Sequence, residues 1–328
     1  MTRLCAYISR IALACVAVAL TITPIQAAVG TTTADLLKIN QGARPVGMAG
    51  VYSAIGDDAY SINYNPAGLA QVKATQAVLF HLDSLANISY EYFTFVTAMG
   101  TDSALGANLT YRHMPPIQND PTGTLAPARA EDILGSLTYA LRFEGGFRAG
   151  LTVKFLNSTL GPYPASAFAG DLGIQLDRLP FGLKVGLSVQ NLGTGMTFNP
   201  DSDADSLPLF IRGGIAIRQV VDGKKDLNAG VEVFMPSDQS LKVAAGGEFW
   251  VFPDLFVVRG GYKFDWADTS LGLHNAFENY TLGCTLTRRI DGDDFSVDIA
   301  YNPANFGSTS SDTFFFGLNF KFNQLRFL

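Results

Sequence analysis

From about residue 74 onward the chain alternates with a period of two, and this constrains its fold more than any other feature. Phe147, Ala149, Leu151, Val153 and Phe155 interleave with Arg148, Gly150, Thr152 and Lys154. Leu209, Ile211, Gly213, Ile215 and Ile217 interleave with Arg212, Gly214, Ala216 and Arg218. Phe256, Val258, Gly260, Tyr262 and Phe264 are set against Arg259, Lys263 and Asp265. The last such run sets Phe314, Phe316, Leu318, Phe320 and Phe322 against Gly317, Asn319 and Lys321. Side chains on a strand point alternately to opposite faces, so each segment has one apolar and one polar face. About fourteen segments follow this pattern, near 74–82, 87–98, 103–113, 132–142, 146–157, 167–177, 182–191, 208–219, 226–234, 240–250, 255–266, 278–288, 294–301 and 312–322.

The connections carry separate information. Short ones, at 100–102, 144–145, 178–181, 222–223, 252–254 and 291–293, alternate with long ones at 114–131, 158–166, 192–207, 267–277 and 302–311. Two positions where long loops are due, 83–86 and 235–239, are short. A soluble β-sandwich also has short strands and turns, but its exposed faces are rich in charge. Here hydrophobic residues are 48% and charged residues 16%, and one face of most strands is wholly apolar. No run beyond residue 27 approaches the ~18 apolar residues of a membrane helix. Lipid outside and a polar lumen inside account for both facts. The expected fold is therefore all-β: a transmembrane antiparallel up-and-down β-barrel of about fourteen strands, in a bacterial outer membrane. An even strand count puts both barrel ends on the short-turn, periplasmic side. The 33 Gly, 24 Phe and 12 Tyr suit tight turns and aromatic girdles.

The first segment has the order of a secretory signal peptide. Arg3 and Arg10 precede an apolar stretch from Ile11 to Leu20, and small residues follow at Ala27 and Ala28. The expected division is a signal peptide over 1–27, an N-terminal segment over 28–73 and the barrel over 74–328. Cys5 and Cys15 fall in the leader, which leaves Cys284 alone and excludes an intramolecular disulfide. Net charge is −6 without a basic patch, which excludes nucleic acid as a partner.

Residues 29–73 do not alternate, and small residues dominate them. Such a segment packs inside a barrel where large side chains do not fit, and Leu36, Leu37, Ile39, Val46, Met48, Val51, Ile55 and Leu69 argue against a disordered lead-in. Within it, Gly42-Ala43-Arg44, Met48-Ala49-Gly50, Asp57-Asp58-Ala59 and Asn65-Pro66-Ala67-Gly68-Leu69 occur in that order. This ordered set resembles the N-terminal signature of the FadL-like outer-membrane proteins, especially their PorV/PorQ branch. The resemblance implies a plug, or hatch, formed by the segment in the lumen. In FadL proper the hatch obstructs the lumen and hydrophobic substrates leave sideways through the wall; in the PorV branch the barrel serves protein export. This chain is shorter than FadL proper, and its outer loops carry no long apolar helical hairpin.

Candidate chemistry is sparse. His81, His113 and His274 occur at unrelated places, and no serine–histidine constellation singles itself out, so the chain is not expected to be an enzyme. Asp201, Asp203 and Asp205 alternate in a loop, but Ser206 and Arg212 stand where a calcium loop needs Gly and Glu. No metal or cofactor is expected. The polar face offers the lumen charges Arg112, Arg142, Arg148, Arg212, Arg259, Glu91, Asp171, Glu232 and Glu248, expected to pair and to hold the plug, with Arg44, Asp57 and Asp58 as partners. Gly213-Gly214, Gly246-Gly247 and Gly260-Gly261 permit a bend in the wall or close packing. The function expected is passive outer-membrane transport of hydrophobic or small amphipathic compounds. The alternatives are a PorV-like partner role in protein secretion and a structural envelope barrel. Expected partners are outer-membrane lipid and either hydrophobic small molecules or secreted proteins.

Overall fold

The computed structural model describes residues 31–84, 87–116, 129–199, 201–221, 225–265, 279–306 and 309–323. The expected signal peptide, the turn at 222–223, the loop 267–277 with His274, most of the loop 114–131 and the tail 324–328 lie outside them.

Fourteen strands form one closed antiparallel barrel. They are β1 (Thr75–Asp83), β2 (Ser89–Met99), β3 (Ser103–His113), β4 (Ala130–Arg142), β5 (Phe147–Leu160), β6 (Tyr163–Leu176) and β7 (Leu183–Gly193), then β8 (Phe210–Val221), β9 (Lys225–Pro236), β10 (Lys242–Phe252), β11 (Phe256–Asp265), β12 (Tyr280–Ile290), β13 (Asp293–Phe306) and β14 (Thr309–Phe322). Each strand pairs with the next, and β1 closes on β14 from Thr75↔Phe322 to His81↔Phe316. Closure leaves no unpaired edge, which apolar surroundings require of a β structure. The alternation sorts the side chains as expected: Leu79, Leu137, Leu151, Phe168, Leu187, Ile215, Leu282 and Phe316 face outward and are exposed. Their neighbours one residue away, such as Thr138, Thr152, Ser188 and Gly317, face inward.

Two expected long loops are strand instead. β5 runs to Leu160 and β6 starts at Tyr163, with Thr159↔Pro164 and Leu160↔Tyr163 still paired. The hairpin β13–β14 likewise continues to Phe306↔Thr309. In the first, Asn157-Ser158-Thr159 and Pro162 and Pro164 interrupt the apolar alternation and read as loop. Pairing needs only backbone partners, however, and Pro164 lacks only the donor.

The N-terminal segment lies against the inner faces of the strands. It holds a 3-10 turn (Asp35–Lys38), a single helical turn (Ala43–Val46) and two further 3-10 turns (Ala59–Asn63 and Pro66–Gln71). Its Tyr52, Tyr60, Tyr64, Leu36, Met48, Ile55, Ile62 and Leu69 are among the largest fully buried side chains of the described residues. At its start, Thr32 bridges Ser206 in the β7–β8 connection, and Thr32 Oγ1 donates to Asp238 Oδ2 in the β9–β10 connection at 2.6 Å. Both connections are at the long-loop end, whereas β1 begins at the short-turn end, so the segment runs the length of the lumen.

Candidate functional site in the barrel interior

Each motif of the N-terminal segment sets a local bend. Gly42 has φ +97°, and a Cβ there would meet the Tyr60 ring at 2.3 Å. The adjacent turn aims Arg44 at three carboxylates. Its Nη1 donates to Asp57 Oδ1 (2.7 Å) and Asp58 Oδ2 (2.6 Å), and its Nε and Nη2 donate to Glu248 Oε2 and Oε1 (3.0 and 2.6 Å) on β10. Asp58 Oδ1 also accepts from the Tyr60 amide (3.0 Å), capping the turn Ala59–Asn63, and from the Tyr52 hydroxyl (2.7 Å). Burial pushes the Asp57 carboxyl up, but the Arg44 guanidinium and the Lys184 ammonium together outweigh it and hold that group below its ordinary value. For Asp58 burial prevails and the carboxyl is raised. Burial raises the Tyr52 phenol too, which keeps it a donor.

Asn65 works at both ends of its amide. Its Oδ1 accepts from the Ala67 amide (3.2 Å), and its Nδ2 donates to Ser53 O (2.8 Å) and Ile174 O (2.9 Å). Pro66, fixed near helical φ, starts the following turn. Gly68 sits where a Cβ would be 2.6 Å from Gly56 O. Gly50, at φ +83°, ends the Met48-Ala49-Gly50 bend, whose Ala49 amide donates to Thr281 Oγ1 (2.9 Å) on β12.

The lumen charges pair mostly between neighbouring strands rather than across the lumen. Arg112 meets Asp132 (2.5 Å), Arg212 meets Glu232 (3.0 Å), Arg259 meets Glu248 (3.1 Å) and Asp171 meets Lys154 (2.8 Å). Arg148 pairs with Asp177. Two carboxylates also reach the N-terminal segment: Glu248 through Arg44, and Glu232, whose Oε2 accepts from the Tyr52 and Ser53 amides (2.7 and 2.8 Å) and from Ser53 Oγ (2.9 Å). Glu91 corrects the expectation. Tyr90 and Tyr92 are buried on the inner face of β2, so Glu91 faces outward and bonds His81 (2.8 Å). Both faces of β2 carry aromatics, so its apolar pattern alone does not fix which side is inside. Arg142 points inward at the short-turn end of β4. Asp201, Asp203 and Asp205 are exposed, and His113 stacks on Tyr111.

Sequence reading missed Tyr52, Ser53 and Asp238, whose importance lies in chain approaches that no spacing reveals. The glycine pairs, by contrast, resolve as close packing. Cβ atoms on Gly214, Gly246 and Gly261 would lie 2.5 Å or less from Ser53 Oγ, Met48 O and Met48 C, while Gly213 and Gly260 face the open outer side.

Nearer the long loops the inner wall changes character. Phe80, Leu82, Tyr90, Tyr92, Leu134, Leu156, Phe210, Phe234 and Phe315 face inward there and are buried. A cavity of about 30 Å³ beside them is lined by Leu37, Ile39, Asn63, Tyr64, Lys154 and Arg212, among others. Aromatic and aliphatic side chains thus pack on the inner wall toward the long-loop end, among the ion pairs Arg112–Asp132 and Lys154–Asp171, and the Arg44 clasp lies toward the other.

The solved structures that match share this architecture. The toluene transporter TodX of Pseudomonas putida aligns with a TM-score of 0.58 at 10% identity, over 87% of this chain and 98% of the other. The toluene transporter TbuX of Ralstonia pickettii aligns with a TM-score of 0.57 at 12% identity, over 86% and 98%. The fold is FadL-like. A FadL homologue of Pseudomonas aeruginosa matches similarly, with a TM-score of 0.53 at 12% identity over 86% and 98%. At such identities the likeness is one of fold. The sequence model of the uncharacterised protein family UPF0164 matches residues 10–155. No curated protein matches the chain. The FadL-like barrel expected from the sequence is thus seen, with the same number of strands.

Proposed function

We propose that this chain is an outer-membrane barrel for passive passage of hydrophobic compounds, with residues 28–73 as a plug in the lumen. One observation carries the reading: the inner wall at the long-loop end is lined by Phe80, Leu82, Tyr90, Tyr92, Phe210, Phe234 and Phe315. A water-filled pore has a polar lining; an aromatic and aliphatic one suits an apolar solute. The transporters that share the fold, two of them described as carrying toluene, support the same class of cargo. In this reading, which the outward apolar face supports, lipid surrounds the barrel, the short turns face the periplasm, and residues 1–27 act as the export signal. The ordered set from Gly42 to Leu69 supports a place near the PorV/PorQ branch. The β2–β3 register is continuous from Ser89↔His113 to Met99↔Ser103, so the wall has no gap between those two strands.

The test is uptake of N-phenyl-1-naphthylamine by intact Gram-negative cells expressing the chain. Faster uptake than in cells with an empty vector is expected. Unchanged uptake with the folded barrel present in the outer membrane would overturn the reading. Stoichiometric recovery of a secreted protein with the purified barrel would favour the export role instead.

A further inference from the structure

Arg142 and Arg148 are register partners on β4 and β5, on the inward face at the short-turn end. Like charges set directly opposite on a sheet repel one another. Arg148 is 3% exposed, so its charge is not dispersed by solvent. Arg148 Nη2 donates to Asp177 Oδ2. Its Nε and Nη1, and Arg142 Nε, are buried donors without a hydrogen-bond partner among the described residues. Asp177 Oδ1 is also unpaired, so this one carboxylate does not span both guanidiniums. Lys184 is buried on the inward face of β7. Buried donors left unpaired in a native site call for a partner. A guanidinium presents its N–H groups as a fork that fits two oxygens of one anion.

We infer that Arg142 and Arg148 form a binding site for a small oxyanion, a phosphate or a carboxylate, at the short-turn mouth of the lumen. The anion accepts from Arg142 Nε and from Arg148 Nε, and lies between the two charges. Pro66 and Ala67 pack directly against Gly150, two residues along β5 from Arg148, so the site adjoins the N-terminal segment. It is independent of the transport reading, since naphthylamine uptake does not probe it.

The full-length barrel, refolded in detergent, is titrated calorimetrically with inorganic phosphate and, separately, with hexanoate, at constant ionic strength in chloride. Saturable binding of one of them is expected. Preference for phosphate identifies a free inorganic anion, and preference for hexanoate identifies the head of an amphipathic solute. Arg142→Gln leaves the Arg148–Asp177 pair in place and is expected to weaken binding by about tenfold or more. Arg142→Lys, which keeps the charge but loses the fork, should fall between. No saturable binding of either anion to the unaltered protein overturns the site, whether or not the variants fold. Unchanged affinity in a folded Arg142→Gln barrel does so too.

Discussion

A glycine inside a strand ordinarily weakens it, because it loses more freedom on folding and packs nothing. Gly173 and Gly186 have a compensating use. An ideal Cβ on Gly186 would lie 2.0 Å from Ser53 O, and one on Gly173 would lie 2.0 Å from Asn65 Oδ1. These residues let the segment's backbone rest on the wall. Gly186→Ala is expected to destabilise the folded barrel by about 1–3 kcal/mol, as overpacking does. Gly213→Ala, whose Cβ meets only Leu187 Cδ1 at 3.8 Å, should be close to neutral. Urea unfolding of both variants in detergent, side by side, checks the contrast; equal stabilities would remove the close-packing role. The glycines themselves stand plainly in the sequence. What approaches them does not, since Ser53 and Gly186 are joined only by the folded chain. Order in the sequence singles out Arg44 with Asp57 and Asp58, yet Glu248, which takes two of its hydrogen bonds, is 204 residues away.

Among the elements, strands were the most legible, because a two-residue period follows from the pleat itself. Their ends were not: lipid enforces alternation only where it touches the wall, so β5–β6 and β13–β14 outrun their apolar pattern. The N-terminal segment was legible as an unstrandlike insert of small residues, but its path was not. Two clasps hold it. At the short-turn end, reversing Asp57 and Asp58 (Asp57→Lys with Asp58→Lys) sets like charges against Arg44. Single-channel conductance in planar bilayers should rise, and unchanged conductance would count against a closed lumen. At the long-loop end, Asp238 takes Lys38 Nζ at 2.5 Å and Thr32 Oγ1 at 2.6 Å. Burial pushes the Asp238 carboxyl up, but these hydrogen bonds outweigh it and hold the group below its ordinary value. A carboxyl depressed in the folded state stabilises fully above its unfolded value, near pH 4, and loses that contribution as pH falls through the folded value. The protection factor of the Thr33 amide, which donates to Ser206 O at 3.1 Å, should therefore drop below about pH 4 and not between pH 5 and 8. Asp238→Asn should lower it at neutral pH.

At the scale of the whole molecule, the barrel is a wall whose two faces meet different surroundings. The outer face was readable from its apolar residues except on β2, where aromatics on both faces hid the outward Glu91. The inner face was readable only as polar, and the aromatic lining near the long loops was hidden because apolar residues on both sides of a strand erase the contrast. The lumen-long path of the N-terminal segment also bears on how the molecule is made. The segment continues covalently into β1, which pairs with β14 to complete the circle. A chain anchored at Ser206 and Asp238 at one end, and leaving at Thr75 at the other, is hard to draw through a finished cylinder of this bore. The expected order of assembly is that the segment is laid down first and the seam zips around it. During refolding, a disulfide between Ala49→Cys and Thr281→Cys should form no later than one between Leu79→Cys and Leu318→Cys. The reverse order would mean that the cylinder closes empty and is filled afterward.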